Sequence, residues 1–441
     1  MRICTKIVWL LLLPALLSGR PGASGALPAE LVRTLDSLVC SGLDERAFPG
    51  ASLVVGDRDG ILYERHYGFM DYSKEKPVTG SDLYDVASCT KVLSTTFAVM
   101  RLYDEGRLRI LDPLGDYLPQ YAGTPVGRIT LRELLTHTSG LRPQVFYTPL
   151  VRNAEGGSLF SSKKSEKYPH EVGKNYYVAR SVAFDTCYLS RSPRDGWREA
   201  AAGLYVNPAV DTLIRRQILR AYKPERRGAY SYSDTNFLLL MQIAERVAGV
   251  PLEQQTAELF GELGCANTGY NPLRNARKQA CMPTETDHIL CRGTVQGYVH
   301  DELGALMGGV GGNAGLFTTA SDMARFCEMI LRRGELDGRQ IVTPKTVDLF
   351  TSSPFAAQRV WRGLGFDKRE PGSGPLGDTC SFGHTGFTGT IFWMDSRTGA
   401  FMVFLSNAVH PTRLNNRLSS SQLRAKLWEA VDTYFRKQAG D

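Results

Sequence analysis

No apolar run in this 441-residue chain reaches the roughly 20 residues that a membrane-spanning helix needs. The N-terminal run Ile7–Leu17 is well short of that and is broken by Pro14. Blocks of like charge are also missing. Lysine and arginine exceed the acids by only 7, and the densest basic stretch, SSKKSEKYPH from Ser161, has the make-up of a solvated loop. Nucleic acid is therefore not expected as a partner. The 9 cysteines form no CxxC pair, and Cys281 and Cys291 have no histidine pair at ligand spacing, so neither a metal nor another cofactor is expected. Their spacing defines no disulfide framework. Repeats and low-complexity linkers are absent too.

What is present describes a globular protein, with 43% hydrophobic and 22% charged residues. Residues 1–26 read as an export signal: Arg2 and Lys6 precede the apolar run, and small residues follow in GASGA. This implies a periplasmic or secreted protein, with membrane contact only if the signal is retained. Residues 27–441 then form one domain. GASLVVGD and GILYERHYGF, joined by DRDG, make a β-hairpin near the start. TGTIFWMD and GAFMVFLSN make another near the end. The stretches between and after them, such as TFAVMRLYDEGRL, NFLLLMQIAERVAG, ASDMARFCEMILRRGEL and SQLRAKLWEAVDTYFRK, carry apolar residues at helical steps. The expected architecture is α+β: an antiparallel sheet built from both chain ends, flanked by helices, with a helical region inserted at roughly 87–310. Residues 142–228 are the least regular part and read as a loop-like insert.

Chemistry enters at LYDVASCTKVLSTTFAVMRLYDEG, where Ser88 precedes Lys91 by three residues at an expected helix start. Residues i and i+3 are neighbours on a helix, so the lysine can approach the hydroxyl. A serine needs a base to become a nucleophile, and lysine serves only if its pKa is lowered. The dipole at a helix N-terminus acts in that direction. Asp85 and Ser88 are also candidate caps. A second Ser-x-x-Lys, Ser161 with Lys164, has no apolar stripe behind it and reads as a chance pair. Two later stretches favour the first pair. GAYSYSDTNF places Tyr232, Ser233 and Asp234 before an apolar helix, and SFGHTGFTGT places His384, Thr385 and Gly386 at the edge of the last hairpin. Serine acyl-transfer enzymes of one large group need such elements in this order: nucleophile with base, second proton carrier, and edge strand for the substrate.

With these blocks, and with LRELLTHTSGL and VHDELGALMGGVGGNAGLFTTASDMARF between them, the sequence resembles the serine β-lactamase and penicillin-binding protein superfamily over about residues 45–407. Within its class C β-lactamase branch it is similar to penicillin-binding protein 4B-like periplasmic serine hydrolases. The resemblance implies a β-lactamase/transpeptidase-like fold, with an all-helical region beside the sheet and the active site between them. It implies Ser88 as the acylated nucleophile and Lys91 as base or proton relay. Tyr232 would be the second acid/base, its phenol pKa lowered by the ammonium. Backbone N–H groups of Ser88 and Phe387 would form the oxyanion hole. Asp234, His384, Thr385 and Gly386 would face the substrate. His137 reads as structural, and His300 and Asp301 as loop-ordering.

Two positions depart from that branch, where Asn is usual in place of Asp234 and Lys in place of His384. An ionised Asp can only accept hydrogen bonds, and histidine is mostly neutral above about pH 6.5. Both changes count against an efficient β-lactamase and spare the acylation residues. His384 would meet an anionic substrate group only when protonated. The expected function is an exported serine hydrolase working through an acyl-enzyme: a D-alanyl-D-alanine carboxypeptidase or amidase on peptidoglycan-derived peptides, with β-lactams as acylating ligands. An esterase on small acyl esters, a class C β-lactamase and a non-turnover penicillin-binding sensor are the alternatives.

Overall fold

The computed structural model describes residues 26–145, 148–275, 277 and 280–440. The expected export signal, apart from Ala26, lies outside the described residues. Helix α1 (Ala29–Asp44) leads into strands β1 (Gly50–Asp57) and β2 (Gly60–Gly68). Their turn closes where Asp57 pairs with Gly60, whose φ of 139° only glycine adopts without strain. The chain returns to the same sheet at its far end with β3 (Ser381–Thr385), β4 (Ile391–Asp395) and β5 (Ala400–Ser406). The spatial order is β3–β4–β5–β1–β2, antiparallel throughout. The two chain ends join where Ala51 pairs with Ser406 and Asp57 with Ala400. The sheet is thus made of both termini, as the two hairpin signals require.

The helices used below are α2 (Phe97–Asp104), α3 (Asp234–Ala248), α4 (Leu252–Glu262), α5 (Ala320–Leu331) and α6 (Leu423–Ala439). Side chains alternate across a strand, and here both faces are covered. Leu53, Val55, Trp393, Met402 and Phe404 pack with Leu35 of α1 and Trp428 of α6. Val54, Phe392, Phe401 and Val403 face the opposite way, into the core shared with α5 and the helical region. Two apolar faces explain why β4 and β5 read as continuous hydrophobic runs. Each fully buried side chain of this size contributes about 1.5–3 kcal/mol.

Residues 142–228, expected as a loop-like insert, carry short antiparallel strands, which corrects that reading. Val151–Asn153 pairs with Val182–Phe184, and Tyr176–Val178 lies between Phe160–Ser161 and His170–Gly173. Leu204–Val206 pairs with both Arg198–Ala201 and Leu189–Ser190, before the helix Val210–Ala221. Strands this short show no period-2 pattern, which needs about four to eight residues to be readable. The insert leans on the 285–308 segment: His170 stacks on His288 at 3.9 Å, and the Tyr298 hydroxyl donates to Glu199 Oε1 at 3.2 Å. Ser161 spends its hydroxyl on its own loop, donating to Lys163 O at 2.9 Å, and Lys164 is exposed. The cysteines at 40, 89, 187, 265, 281, 291, 327 and 380 are free thiols.

Phe404 is fully buried and meets the Phe48 ring edge-on at 5.5 Å. Phe404→Ala is expected to lower the unfolding free energy by about 3–5 kcal/mol, the range for truncating a core phenylalanine, in urea denaturation.

Candidate active site

Ser88 sits on a strained turn. Ala87 just before it has φ 45°, a left-handed value costly for a residue with a Cβ. Asp85 holds the turn: its Oδ1 accepts from Ala87 N at 2.8 Å and its Oδ2 from His300 N at 2.6 Å. Neither cap candidate caps the turn: Val86 holds the cap position with no side-chain cap bond, and the Ser88 hydroxyl accepts a hydrogen bond from Lys91. Ala87–Cys89 is a 3₁₀ turn, and Lys91–Thr96 is a wider π-helical turn that passes into α2. The expected α-helix is therefore regular only from Phe97. Side-chain anchors outside the helix account for the widening. Thr90 Oγ1 accepts from Leu316 N at 3.1 Å, and Thr95 Oγ1 donates to Gly312 O at 2.7 Å. Such π turns recur at functional sites.

Lys91 is fully buried at 0% exposure. Its ammonium donates to Ser88 Oγ at 2.9 Å and to Asn313 O at 3.0 Å, and it pairs with Asp234 Oδ1 at 2.6 Å. Two of its N–H groups are thereby hydrogen-bonded, and the Asp234 contact is an ion pair. Burial alone would lower the Lys91 pKa, yet the Asp234 carboxylate and the Tyr232 hydroxyl outweigh it and raise it above the usual lysine value. The expectation of a lowered lysine pKa is overturned, because a neighbouring carboxylate outweighs a helix dipole. Asp234 is correspondingly a partner of Lys91 and not simply a substrate-facing group. Tyr232 lies within hydrogen-bond reach of Ser88 and Lys91, with Lys91 Nζ 5.0 Å from its ring centroid. Burial raises the phenol pKa by more than the ammonium lowers it. The expected lowering of the Tyr232 pKa is overturned as well.

His137 positions Tyr232. Its Nδ1 accepts from Ser233 N at 3.1 Å, and its ring lies 4.5 Å from that of Tyr232. Asn236 Nδ2 approaches the same nitrogen at 3.3 Å and is itself held by Ser139, whose hydroxyl donates to Asn236 Oδ1 at 2.7 Å. Burial keeps the His137 pKa far below 6.5. A neutral, structural imidazole is what THTSGL was expected to provide.

Strand β3 forms the facing wall. The loop after it is stitched to the nucleophile turn by Thr388 Oγ1 donating to Asp85 O at 2.7 Å and Thr390 Oγ1 to Val86 O at 3.1 Å. Cys89 Sγ adds a contact to His384 O at 3.5 Å. Gly386 is required there, since a Cβ would fall 2.4 Å from Val86 O and 2.1 Å from Thr390 Oγ1. His384 is only 2% exposed, and its Nδ1–H donates to Thr385 O at 2.8 Å. Burial, then Arg362 and Lys91, push its pKa well below 6.5. The expectation that a protonated His384 meets an anionic substrate group is therefore overturned. Thr385 lines a cavity of about 560 Å³ with Arg369 and Arg424. Phe387 is 58% exposed, its ring 5.5 Å from that of His300. Asp301 accepts from Gly304 N at 2.7 Å and from Asn313 Nδ2 at 3.1 Å, which orders the loop that supplies the carbonyl for Lys91. Burial, with the Asp234 charge nearby, pushes the Asp301 carboxyl up to about 6. Sequence reasoning missed Asn313, Thr388, Thr390 and Arg362. VGGNAG and TGFTGT drew attention as blocks, whereas Arg362 in VWRGLGF carried no signal.

With this geometry in place, comparison with known proteins is informative. A family model described as Beta-lactamase matches residues 35–425. A protein of Escherichia coli (strain K12), provisionally named D-alanyl-D-alanine carboxypeptidase, is 28% identical, over 93% of this chain and 91% of its own. An N-acetylmuramyl-L-alanine amidase of Bacillus subtilis (strain 168) is 29% identical, over 82% of this chain and 78% of its own. A class C β-lactamase solved in complex with cefoxitin superposes with a TM-score of 0.62 at 16% identity, over 92% of this chain and 99% of that one.

Removing one partner of a buried ion pair leaves the other charge uncompensated, typically at about 3–5 kcal/mol. Asp234→Ala is expected to destabilise the fold by that order. Adding Lys91→Met should recover most of the loss in the same denaturation experiment. Additive destabilisation by the two substitutions would show that the pair does not hold the fold.

Proposed function

The chain belongs to the beta-lactamase family of serine hydrolases, and on that premise we propose that it acts through an acyl-enzyme on peptidoglycan-derived peptides, as a D-alanyl-D-alanine carboxypeptidase or amidase. The observation that carries this reading is the Ser88 hydroxyl 2.9 Å from the ammonium of a fully buried Lys91, with the Tyr232 phenol in reach of both. The carboxypeptidase- and amidase-named relatives support the substrate class, and the N-terminal sequence supports action outside the cytoplasm.

Ser88 Oγ attacks the substrate carbonyl and loses its proton. Lys91 cannot take that proton while it is an ammonium, so the acceptor is the phenolate form of Tyr232, with Lys91 as its counter-ion. The backbone N–H groups of Ser88 and Phe387 receive the negative oxygen. Tyr232 then hands its proton to the leaving amine, and the C–N bond breaks. Water hydrolyses the acyl-enzyme by the same route, with the phenolate taking its proton and returning it to Ser88. With His384 neutral, strand β3 meets the substrate through Thr385 and its backbone, without a cation at His384. Arg424 Nη1 braces the loop after β3 by donating to Gly386 O at 3.3 Å and Thr390 O at 3.2 Å. β-Lactams fit the same site as acylating ligands.

Ser88→Ala should abolish labelling by an active-site serine probe without loss of fold. Labelling that persists, or that moves to Ser161, ends the reading.

The pH dependence separates the proton acceptors. A phenol whose pKa lies above 10.0 is mostly protonated at neutral pH, so kcat/KM should rise about tenfold per pH unit from about pH 6 to 9. A flat profile would mean that Lys91 passes its proton to Asp234 and itself becomes the base. The ratio of rates for carboxylate-bearing and neutral substrates should stay constant through about pH 6.5, because His384 does not titrate there.

A further inference from the structure

Arg362 is a buried cation that this scheme leaves unused. It is 4% exposed, and its Nη1 donates to Asp367 Oδ1 at 2.6 Å. Its Nε and Nη2 are buried and have no hydrogen-bond partner among the described residues. Buried N–H groups of a guanidinium cost stability when unpaired, so their retention calls for a compensating role. Its Cζ lies 5.9 Å from the ring centroid of Tyr232. The position is rigid: Asp367 N donates to Gly383 O at 2.7 Å and Gly383 N to Asp367 O at 3.0 Å, one residue before His384 on β3.

Charge counting separates Arg362 from Lys91. Lys91 is matched by Asp234. Asp367, in contrast, is shared by Arg362 and by Arg369, whose Nη2 lies 2.9 Å from Oδ2. Two cations on one carboxylate leave a net positive charge on that group. Every element around Tyr232 contributes to its field. Lys91 and Ser88 come from the nucleophile turn, Asp234 from the start of α3, His137 from the turn before Ser139, His384 from β3, and Arg362 from the loop leading to β3. The two imidazoles are held neutral by burial and by Arg362 itself. Lys91 and Arg362 favour a negative phenol oxygen, and Asp234 opposes it.

We propose that Arg362 is a positioning residue for catalysis: its guanidinium, set beside the Tyr232 ring by Asp367, stabilises the phenolate that takes the proton from Ser88. The proposal rests on the reading of Tyr232 as proton acceptor. Arg362 supplies positive charge, only partly matched by Asp367, that a neutral His384 does not provide on the edge strand.

The test follows Tyr232 directly in the full chain, through tyrosine carrying ¹³C at Cζ and assigned by comparison with Tyr232→Phe. Arg362→Gln should raise the Tyr232 titration midpoint and lower kcat/KM at neutral pH in step, about tenfold for each pH unit that the midpoint moves. Arg362→Lys, which keeps the charge, should restore most of both. Asp367→Asn should act in the opposite direction, lowering the midpoint and raising the neutral-pH rate. A purely structural Arg362–Asp367 clasp would damage both variants in the same sense. An unmoved midpoint in Arg362→Gln, or midpoints that move the same way in both variants, overturns the proposal. Should Arg362→Gln not fold, Asp367→Asn decides alone, and a midpoint that stays or rises overturns it. Because the midpoint is read without turnover, failure of the function at Ser88 remains distinguishable from failure of the role of Arg362.

Discussion

The ion pair between Lys91 and Asp234 is the constraint on which the site depends. An ammonium at 0% exposure is tolerable only if it is hydrogen-bonded and its charge is matched, and the chain meets that demand from its own turn and two distant segments. Ser88 comes from the same turn, Asp234 from the first turn of α3, and the Asn313 carbonyl from the loop before α5. Each of these is held in turn. Asp301 fixes Asn313 through its side chain, and His137 fixes the segment carrying Tyr232 and Asp234 through Ser233 N. Once the charge is buried there, the surrounding hydrogen bonds have little freedom.

The sheet has the complementary task of bringing β3 against the nucleophile turn. Because β1 pairs with β5, the strands from the end of the chain stand beside those from its start. Everything between residues 68 and 381 must then leave and re-enter the sheet, which places the helical region against one face. The contact between β3 and the turn is made by small and hydroxylated residues. Thr388 and Thr390 donate to backbone carbonyls of Asp85 and Val86, and Gly386 leaves room for the close approach. The TGFTGT block is therefore a seam as much as a substrate-facing edge.

Asp234 and His384, where the resemblance implies Asn and Lys, belong to one arrangement of charge. Asp234 supplies an anion that pairs with Lys91, and His384 places an imidazole and no permanent cation on the edge strand. Burial keeps that imidazole neutral. Positive charge then resides with Arg362 and Arg369 around Asp367, and with Arg424 across the cavity beside Thr385. A site with the same nucleophile turn thus presents a different field to its substrate.

The sequence by itself determined the sheet of two termini, the helices with strong apolar stripes, the spacing of Ser88 with Lys91, and the order in which Tyr232 and the His384 strand follow. These are local properties: alternation, helical period and turn residues act over a few positions of chain. The dismissal of Ser161 and Lys164 was legible for the same reason, since no apolar stripe stood behind them. Tertiary structure alone decided the protonation of Lys91 and Tyr232, the burial of His384, the use of the Asn313 carbonyl and the place of Arg362. The short strands of the insert belong with these, because segments of two to four residues carry no readable period. Electrostatic free energy depends on distance and desolvation, and Asp234 lies 2.6 Å from Lys91 although it is far from it in sequence. A one-dimensional pattern names the charged groups; only the packed chain determines which of them touch.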